Sequence, residues 1–384
     1  MRLLIAGGGT GGHIYPALAV ARSLRGRPNA PELVWLGGHR GLEAALVRGA
    51  GIPVRRLALR SLRSVDVSVH AVLDPIRLAV SVPQAAAILA RERPAAIFTT
   101  GGYVAVPTLM AAAPMRIPVV LWDGNVVPGR AVRLTARLAD AIAVSHEATG
   151  RALARAGAPW YLTGTPIRDV SEIDRAAART KLGLPHDARV MLIFGGSQAV
   201  RRFNAAVTDA LPRLVERGHV LHVTGDEAYA AALAARERLP ADQRARYRPY
   251  PFLREEMLAA LVAADLVVGR AGSSTLAEVT ALGVPSVIVP YPHAAGHQTA
   301  NAKVLAEAGG ARLVPDETFD ADVLVQAADL LADDAARARM ADAARLFGRP
   351  GAADAVAELV LAAAERRPLP DVAEIERLSR GRLA

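Results

Sequence analysis

Twice in this chain a short, unbroken apolar run passes directly into glycines and then into a helix-forming stretch. Arg2–Ala6 leads into Gly7–Gly12 and a helix over Pro16–Leu24; Val190–Phe194 leads into Gly195-Gly196-Ser197-Gln198 and a helix over Asn204–Arg217. A strand with no polar alternation must be covered on both faces, which in practice means a parallel sheet with helices on either side. Further runs of the same kind occur at Glu32–Leu36, Ala95–Thr99, Val119–Trp122 and Ala141–Val144, and then at Val220–Thr224, Leu266–Val268 and Ser286–Val289. The segment Leu162–Ala188 between the two sets carries Gly164, Pro166, Gly183 and Pro185 and reads as a linker with an entry helix. The expected fold class is α/β, with two Rossmann-like, doubly wound parallel-sheet domains facing a cleft. Residues 1–163 form the first, 164–345 the second, and 346–384 are carboxyl-terminal helices, the first of which packs back on the amino-terminal domain.

Composition narrows the chemistry. In 384 residues, 52% hydrophobic and 22% charged, there is ample material for two cores, and global disorder is excluded. The absence of cysteine removes disulfide scaffolds, thiolate metal sites and cysteine nucleophiles. The net charge of +9 draws the chain toward phosphate-bearing partners. Nucleic acid is not expected among them, because no aromatic-interleaved basic stretch or reader motif is present. The first strand begins too close to Met1 for a signal peptide. The most apolar stretch, Val104 to Trp122, is broken by Pro107, Pro114, Arg116 and Pro118, so no transmembrane helix is expected.

Three glycine-rich or hydroxyl-rich turns follow strands and open helices, where backbone amides and the helix dipole favour an anion. In the first, Gly7, Gly9 and Gly12 satisfy G-x-G-x-x-G, but the second strand ends Trp35-Leu36-Gly37-Gly38-His39-Arg40, without the carboxylate that binds the ribose of NAD, which disfavours NAD and leaves NADP only through Arg40. No Gly-Lys-Ser/Thr follows, so the loop is not a P-loop. His13 falls where the helix begins and is a candidate functional group. In the second turn, Ser197 either binds a phosphate oxygen or caps its helix. In the third, Arg270 to Glu278, Glu278 lies three residues after Thr275 and is either the acidic partner of a capping box or a carboxylate for ribose hydroxyls. No ligand spacing for a metal is present: His293 and His297 are four apart with no suitable carboxylate. Charge on a leaving phosphate would then be met by amides, helix dipoles and an arginine such as Arg168. Neither a metal nor an organic cofactor is expected.

Taken in order, the motifs Gly-Gly-Thr-Gly-Gly-His (8–13), Gly-Leu-Glu (41–43), Gly-Gly-Tyr-Val (101–104), Gly-Thr-Pro-Ile-Arg (164–168), Gly-Gly-Ser-Gln (195–198), Ala-Gly-Ser-Ser-Thr-Leu-Ala-Glu (271–278) and His-Gln-Thr-Ala-Asn-Ala (297–302) closely resemble those of the MurG family, in glycosyltransferase family 28. The resemblance spans about residues 1–365. It implies the GT-B fold and an inverting transfer of N-acetylglucosamine from UDP-N-acetylglucosamine to lipid I, forming lipid II for peptidoglycan. It also implies peripheral attachment to the cytoplasmic face of the cell membrane.

By the same resemblance Thr10, Gly11, Gly12 and Asn125 would line the donor sugar and acceptor diphosphate, and His13 would be the general base. Arg168, Ser197 and the segment Ser273, Ser274, Thr275, Leu276, Ala277 and Glu278 would hold UDP, with Glu278 on the ribose. Leu253 would meet the uracil through its backbone, and His297 and Gln298 would contact the sugar hydroxyls. Where the family has His-Glu-Gln-Asn, this chain reads Trp122-Asp123-Gly124-Asn125, and Ala199 stands where the family has glycine. That keeps open a related transferase with another acceptor; an epimerase or NADP-dependent oxidoreductase and a non-catalytic membrane-binding subunit are less favoured. The stretch from Arg60 to Arg93 sets Arg60, Arg63 and Arg77 among Leu73, Ile76, Leu78, Val80 and Val82, which suits an anionic membrane surface.

Overall fold

The computed structural model describes residues 1–8, 11–38, 43–59, 70–195, 201–253, 256–292 and 296–381, with backbone alone at 43–45 and 70–76. The chain divides into two compact units, residues 1–168 together with 349–384, and residues 169–348.

In the first unit seven parallel strands lie in the order β3-β2-β1-β4-β5-β6-β7. They are β1 (Arg2–Ala6), β2 (Glu32–Gly37), β3 (Val54–Arg56), β4 (Ala96–Thr99), β5 (Val119–Asp123), β6 (Ala141–Val144) and β7 (Trp160–Leu162). The apolar run of β1 has the cause inferred for it. Leu3 and Ile5 pack on one face with Ile14, Ala17, Val20 and Leu24 of the Gly11–Arg25 helix, at helical spacing. Leu4 and Ala6 pack on the other with Ala85 and Leu89 of the His70–Glu92 helix and Leu109 of the Ala105–Ala112 helix. Fully burying each such leucine or isoleucine is worth about 1.5–3 kcal/mol. The Ala352–Ala364 helix adds Ala355, Val356, Leu359 and Val360 to the first face, so the chain's end completes the core of its beginning.

The second unit repeats the arrangement with six parallel strands in the order β10-β9-β8-β11-β12-β13. These are β8 (Val190–Phe194), β9 (His219–Val223), β10 (Tyr247–Tyr250), β11 (Leu266–Gly269), β12 (Ser286–Ile288) and β13 (Ala311–Leu313). Met191 and Ile193 face Phe203, Val207, Ala210 and Leu214 of the Arg201–Arg217 helix, while Leu192 and Phe194 face the Glu256–Ala263 helix. Several helices of this half and of the carboxyl-terminal tail start on an aspartate whose carboxylate accepts an amide of the first turn: Asp174, Asp320, Asp333 and Asp371.

In both sheets the winding reverses beside the first strand, between β1 and β4 and between β8 and β11. The carboxyl ends of those pairs are where open α/β sheets bind ligands. No helix among the described residues is long and apolar enough to cross a membrane.

Candidate active site

At the carboxyl end of the β1–β4 pair the chain builds a cradle around His13. Its Nδ1 lies 2.8 Å from the Thr100 carbonyl oxygen, and Thr100 Oγ1 returns a 3.1 Å bond to the His13 carbonyl. A carbonyl only accepts, so in the neutral ring the proton sits on Nδ1 and the lone pair on Nε2. Gly7 and Gly102 make room for this pairing. A methyl group on Gly7 would sit 2.9 Å from Thr100 Oγ1, and Gly102, at φ +76°, runs past the edge of the imidazole. Gly7 is itself fixed, its carbonyl accepting from the Trp35 indole at 2.9 Å.

Next to this cradle, Asp123 closes β5. Its Oδ1 accepts from the Asn125 amide at 3.0 Å and from Asn125 Nδ2 at 3.2 Å, and Oδ2 accepts from the Gly129 amide at 3.0 Å. Burial raises its pKa above the ordinary carboxylate value, while those three bonds and the charge of His13 pull the other way. The three bonds make Asp123 the clamp that shapes the turn bearing Asn125. Thr149, on the Glu147–Leu153 helix, holds that turn from the other side by donating to the Asn125 and Val126 carbonyls. Trp122 belongs to the core: it is fully buried, and its indole donates to the Gly164 carbonyl at 3.0 Å.

Sequence reasoning missed Thr100, Thr149 and His146. His146 stands at the carboxyl end of β6 with its pKa lowered by burial to about 4, so it is neutral at pH 7. None of the three lies in a local motif; only the positions of Thr100 and His146 just past strand ends marked them, and Thr149 had no such mark.

In the second unit the corresponding end belongs to β8 and β11. Arg270, directly after β11, is buried and donates to the Val289 and Pro290 carbonyls at 3.1 and 3.3 Å and to Asp316, with its guanidinium 4.8 Å from the centre of the Phe203 ring. It thereby ties three strand-end loops together beneath the Ser273–Leu282 helix. That helix has Gly272 as its N-cap, with no side-chain cap, so its first-turn amides are left to a ligand or water. The capping-box alternative for Glu278 is thereby excluded, since the cap lies six residues before it and carries no side chain.

Among the described residues, Ser274 Oγ and His297 Nδ1 are buried without a hydrogen-bond partner. An orphaned polar atom costs about 1–3 kcal/mol, which a ligand supplying the missing bond would offset. Gln298 Oε1 accepts from the Tyr291 amide at 2.9 Å. Leu253 points its side chain into the core and leaves its backbone just past β10. Ser273, Thr275, Ala277 and Glu278 are half-buried and Leu276 is buried, while Gly11 is half-buried and Gly12 exposed. Arg168, expected among the residues that hold UDP, is the last residue of the first unit before residue 169 begins the second. Thr10, Ser197, Ala199, Arg60, Arg63 and His293 lie outside the described residues, as do the side chains of Leu73 and Ile76.

Family profiles described as the glycosyltransferase family 28 N-terminal domain and C-terminal domain match residues 3–144 and 190–357. A relative from Moorella thermoacetica, 39% identical over 378 residues, spans 95% of this chain and 100% of its own length. The chain belongs to glycosyltransferase family 28. The Moorella relative is named UDP-N-acetylglucosamine–N-acetylmuramyl-(pentapeptide) pyrophosphoryl-undecaprenol N-acetylglucosamine transferase, and so is one from Desulforamulus reducens, 36% identical and spanning 92% of this chain and 96% of its own. Among solved family 28 structures, MurG of Acinetobacter baumannii superposes with a TM-score of 0.72 at 28% identity, covering 94% of this chain and 99% of that one. A UDP-glucose:anthocyanidin 3-O-glucosyltransferase, with a TM-score of 0.68 at 14% identity and covering 95% and 99%, shares the GT-B fold and is evidence of fold alone.

Proposed function

We propose that this family 28 chain transfers N-acetylglucosamine from UDP-N-acetylglucosamine to an undecaprenyl-pyrophosphoryl-N-acetylmuramyl-pentapeptide, the reaction for which its relatives are named. The observation that carries the reading is the histidine held at the first sheet's switch point with its Nε2 lone pair set by the Nδ1–Thr100 bond. In the reaction an acceptor hydroxyl oxygen attacks the anomeric carbon and forms the new glycosidic bond. The bond from that carbon to the diphosphate breaks with inversion, UDP departs, and the hydroxyl proton passes to His13 Nε2. The first unit, about residues 1–163 in functional terms, takes the acceptor, with Gly11, Gly12 and Asn125 around it. The hydrogen bonds that Asp123 accepts keep the Asn125 turn in one shape, a role that a shorter carboxylate can fill.

The second unit takes the donor. The Ser273–Leu282 helix offers amides to the diphosphate, Ser274 and His297 supply buried polar atoms, and Glu278 in the helix's second turn takes the ribose. Gln298, steadied through Tyr291, reads the sugar. The acceptor's isoprenoid chain stays in a bilayer, so the first unit works at an anionic membrane surface. Exposed Leu78 and Val80 on the His70–Glu92 helix support that placement.

The test is UDP release from UDP-N-acetylglucosamine with and without a short-chain lipid acceptor, in chelator. Acceptor-dependent release is expected, and His13→Ala lowers turnover by about 10²–10⁴ while leaving the donor KM unchanged. Release independent of the acceptor, or full turnover in His13→Ala, refutes the assignment.

A further inference from the structure

In the second unit a single carboxylate joins two helix starts that are far apart in the chain. Asp316 lies just past β13 with its side chain mostly buried, and its two oxygens are divided between two arginines. Oδ1 accepts from Arg270 Nη1, and Oδ2 lies 3.6 Å from Arg202 Nε. Arg270 directly follows β11 and stands three residues before the Ser273–Leu282 helix. Arg202 is the second residue of the Arg201–Arg217 helix, five positions after Ser197.

The contacts around the carboxylate make the junction stiff. Arg202 Nη1 also donates to the Glu317 carbonyl at 3.1 Å, so its fork grips the chain past β13 at two points. Phe203, the residue after Arg202, is fully buried, with the Arg270 guanidinium 4.8 Å from its ring centre. Phe319, three residues after Asp316 and also buried, packs on the same ring with centres 4.7 Å apart. Aromatic packing and ion pairing thus bind the same three segments. Charge does not account for the carboxylate, because an acid beside two arginines lowers the positive potential that a diphosphate would meet. Its contribution is geometric.

We propose that Asp316 is a positioning residue for the donor diphosphate. It fixes the spacing between the starts of the Arg201–Arg217 and Ser273–Leu282 helices, so that both meet the phosphates at once. This rests on the donor assignment of the second unit made above. Uridine carries no phosphate and is met by Glu278 and the Leu253 backbone, so its binding does not depend on that spacing.

The experiment is calorimetric titration of the full chain with UDP and with uridine, for the parent, Asp316→Asn, Arg202→Leu and the double variant. Asparagine keeps an oxygen for Arg270 and turns an amide toward Arg202 that cannot accept from it, so each single variant cuts the same link. Positioning moves both in one direction: the Kd for UDP rises by about tenfold and that for uridine by less than about twofold. The double variant then loses no more than Arg202→Leu alone. Electrostatics by itself moves the two in opposite directions, since one substitution removes a negative charge and the other a positive one.

Opposite shifts, equal losses for UDP and uridine, or additive losses in the double variant overturn the proposal. If Asp316→Asn does not fold, Arg202→Leu decides, its side chain being nearly half exposed. A UDP loss relative to the parent that persists at about 1 M salt, where charges are screened within about 3 Å, supports positioning, and one that vanishes overturns it. A parent that binds no UDP refutes the donor assignment and this proposal together; a parent that binds UDP, with both variants matching it, refutes this proposal alone.

Discussion

The hydrogen bonds between His13 and Thr100 leave no room for a side chain at Gly7, and this gives a quantitative test of how His13 is held. A methyl at Gly7 would lie 2.9 Å from Thr100 Oγ1, 3.5 Å from the Trp35 ring and 3.7 Å from the His13 carbonyl. Its φ is not positive, so alanine is permitted by the backbone and the whole penalty is steric. Relieving that contact means moving Thr100 by a few tenths of an ångström, at about 1–3 kcal/mol for overpacking. Losing the Thr100 Oγ1 bond to the His13 carbonyl adds about 0.5–1.5 kcal/mol. Gly7→Ala is thus expected to destabilise the first unit by about 2–4 kcal/mol. Because the Thr100 carbonyl that fixes the imidazole moves with it, kcat should fall by about ten- to a hundredfold with the donor KM unchanged. Thr100→Ala alone loses only the hydroxyl bond, about 1 kcal/mol, and keeps the carbonyl. In the double variant the new methyl occupies the space the hydroxyl vacated, so the total should stay near 1 kcal/mol and most of kcat should return. Urea unfolding of the first unit and UDP release, run as a double-mutant cycle, measure both. Additive losses in stability, or a double variant no more active than Gly7→Ala, would refute the account of His13.

Two further expectations concern the second unit. Glu278→Ala should raise the donor KM by about ten- to a hundredfold, the value of a hydrogen bond to a charged group, with little change in Tm because the helix is capped at Gly272. A drop in Tm with an unchanged KM, followed by thermal melts and initial rates, would make the residue structural. His222, fully buried with Nδ1 2.9 Å from the Tyr247 hydroxyl, has its pKa lowered by burial to about 3 against 6.5 when unfolded. A depressed histidine contributes stability in full above pH 6.5 and loses it as pH falls toward 3, by about 2 kcal/mol at pH 5. Urea midpoints at pH 7 and pH 5 should show that loss in the parent and a flatter profile in His222→Gln; equal slopes would exclude His222 as its source.

How much of this could be seen in the sequence depends on how local the cause is. The strands were legible because β1 and β8 are buried on both faces, which forces a run with no polar interruption. The glycine turns were legible because close backbone approach admits no other residue. Trp122 was misleading for the opposite reason: in a strand covered on both sides, nothing in the pattern separates a core residue from one at the site. Only the fold shows that Trp122 joins Val120 in the core while Asp123, one step on, reaches the carboxyl end of the sheet. The helix start at 272 left two readings open because serine and threonine are good caps, so Thr275 allowed a pairing with Glu278; a glycine cap leaves amides unpaired and carries no side-chain signature.

Thr100 was invisible because it is recruited by His13, distant in sequence, and His146 because its burial comes from the fold around it. The same logic explains why the foot of the first sheet went unread. Helices commonly stop at glycine, and at 93, 116 and 366 the left-handed residue that ends one is arginine, with Pro94, Pro118 and Pro368 as the only local signs. Departures from the cheapest local residue therefore occur at both ends of this sheet. At the carboxyl end, glycines stand where the pairing of His13 with Thr100 leaves no room for a side chain; at the amino end, arginines stand where glycine would cost less.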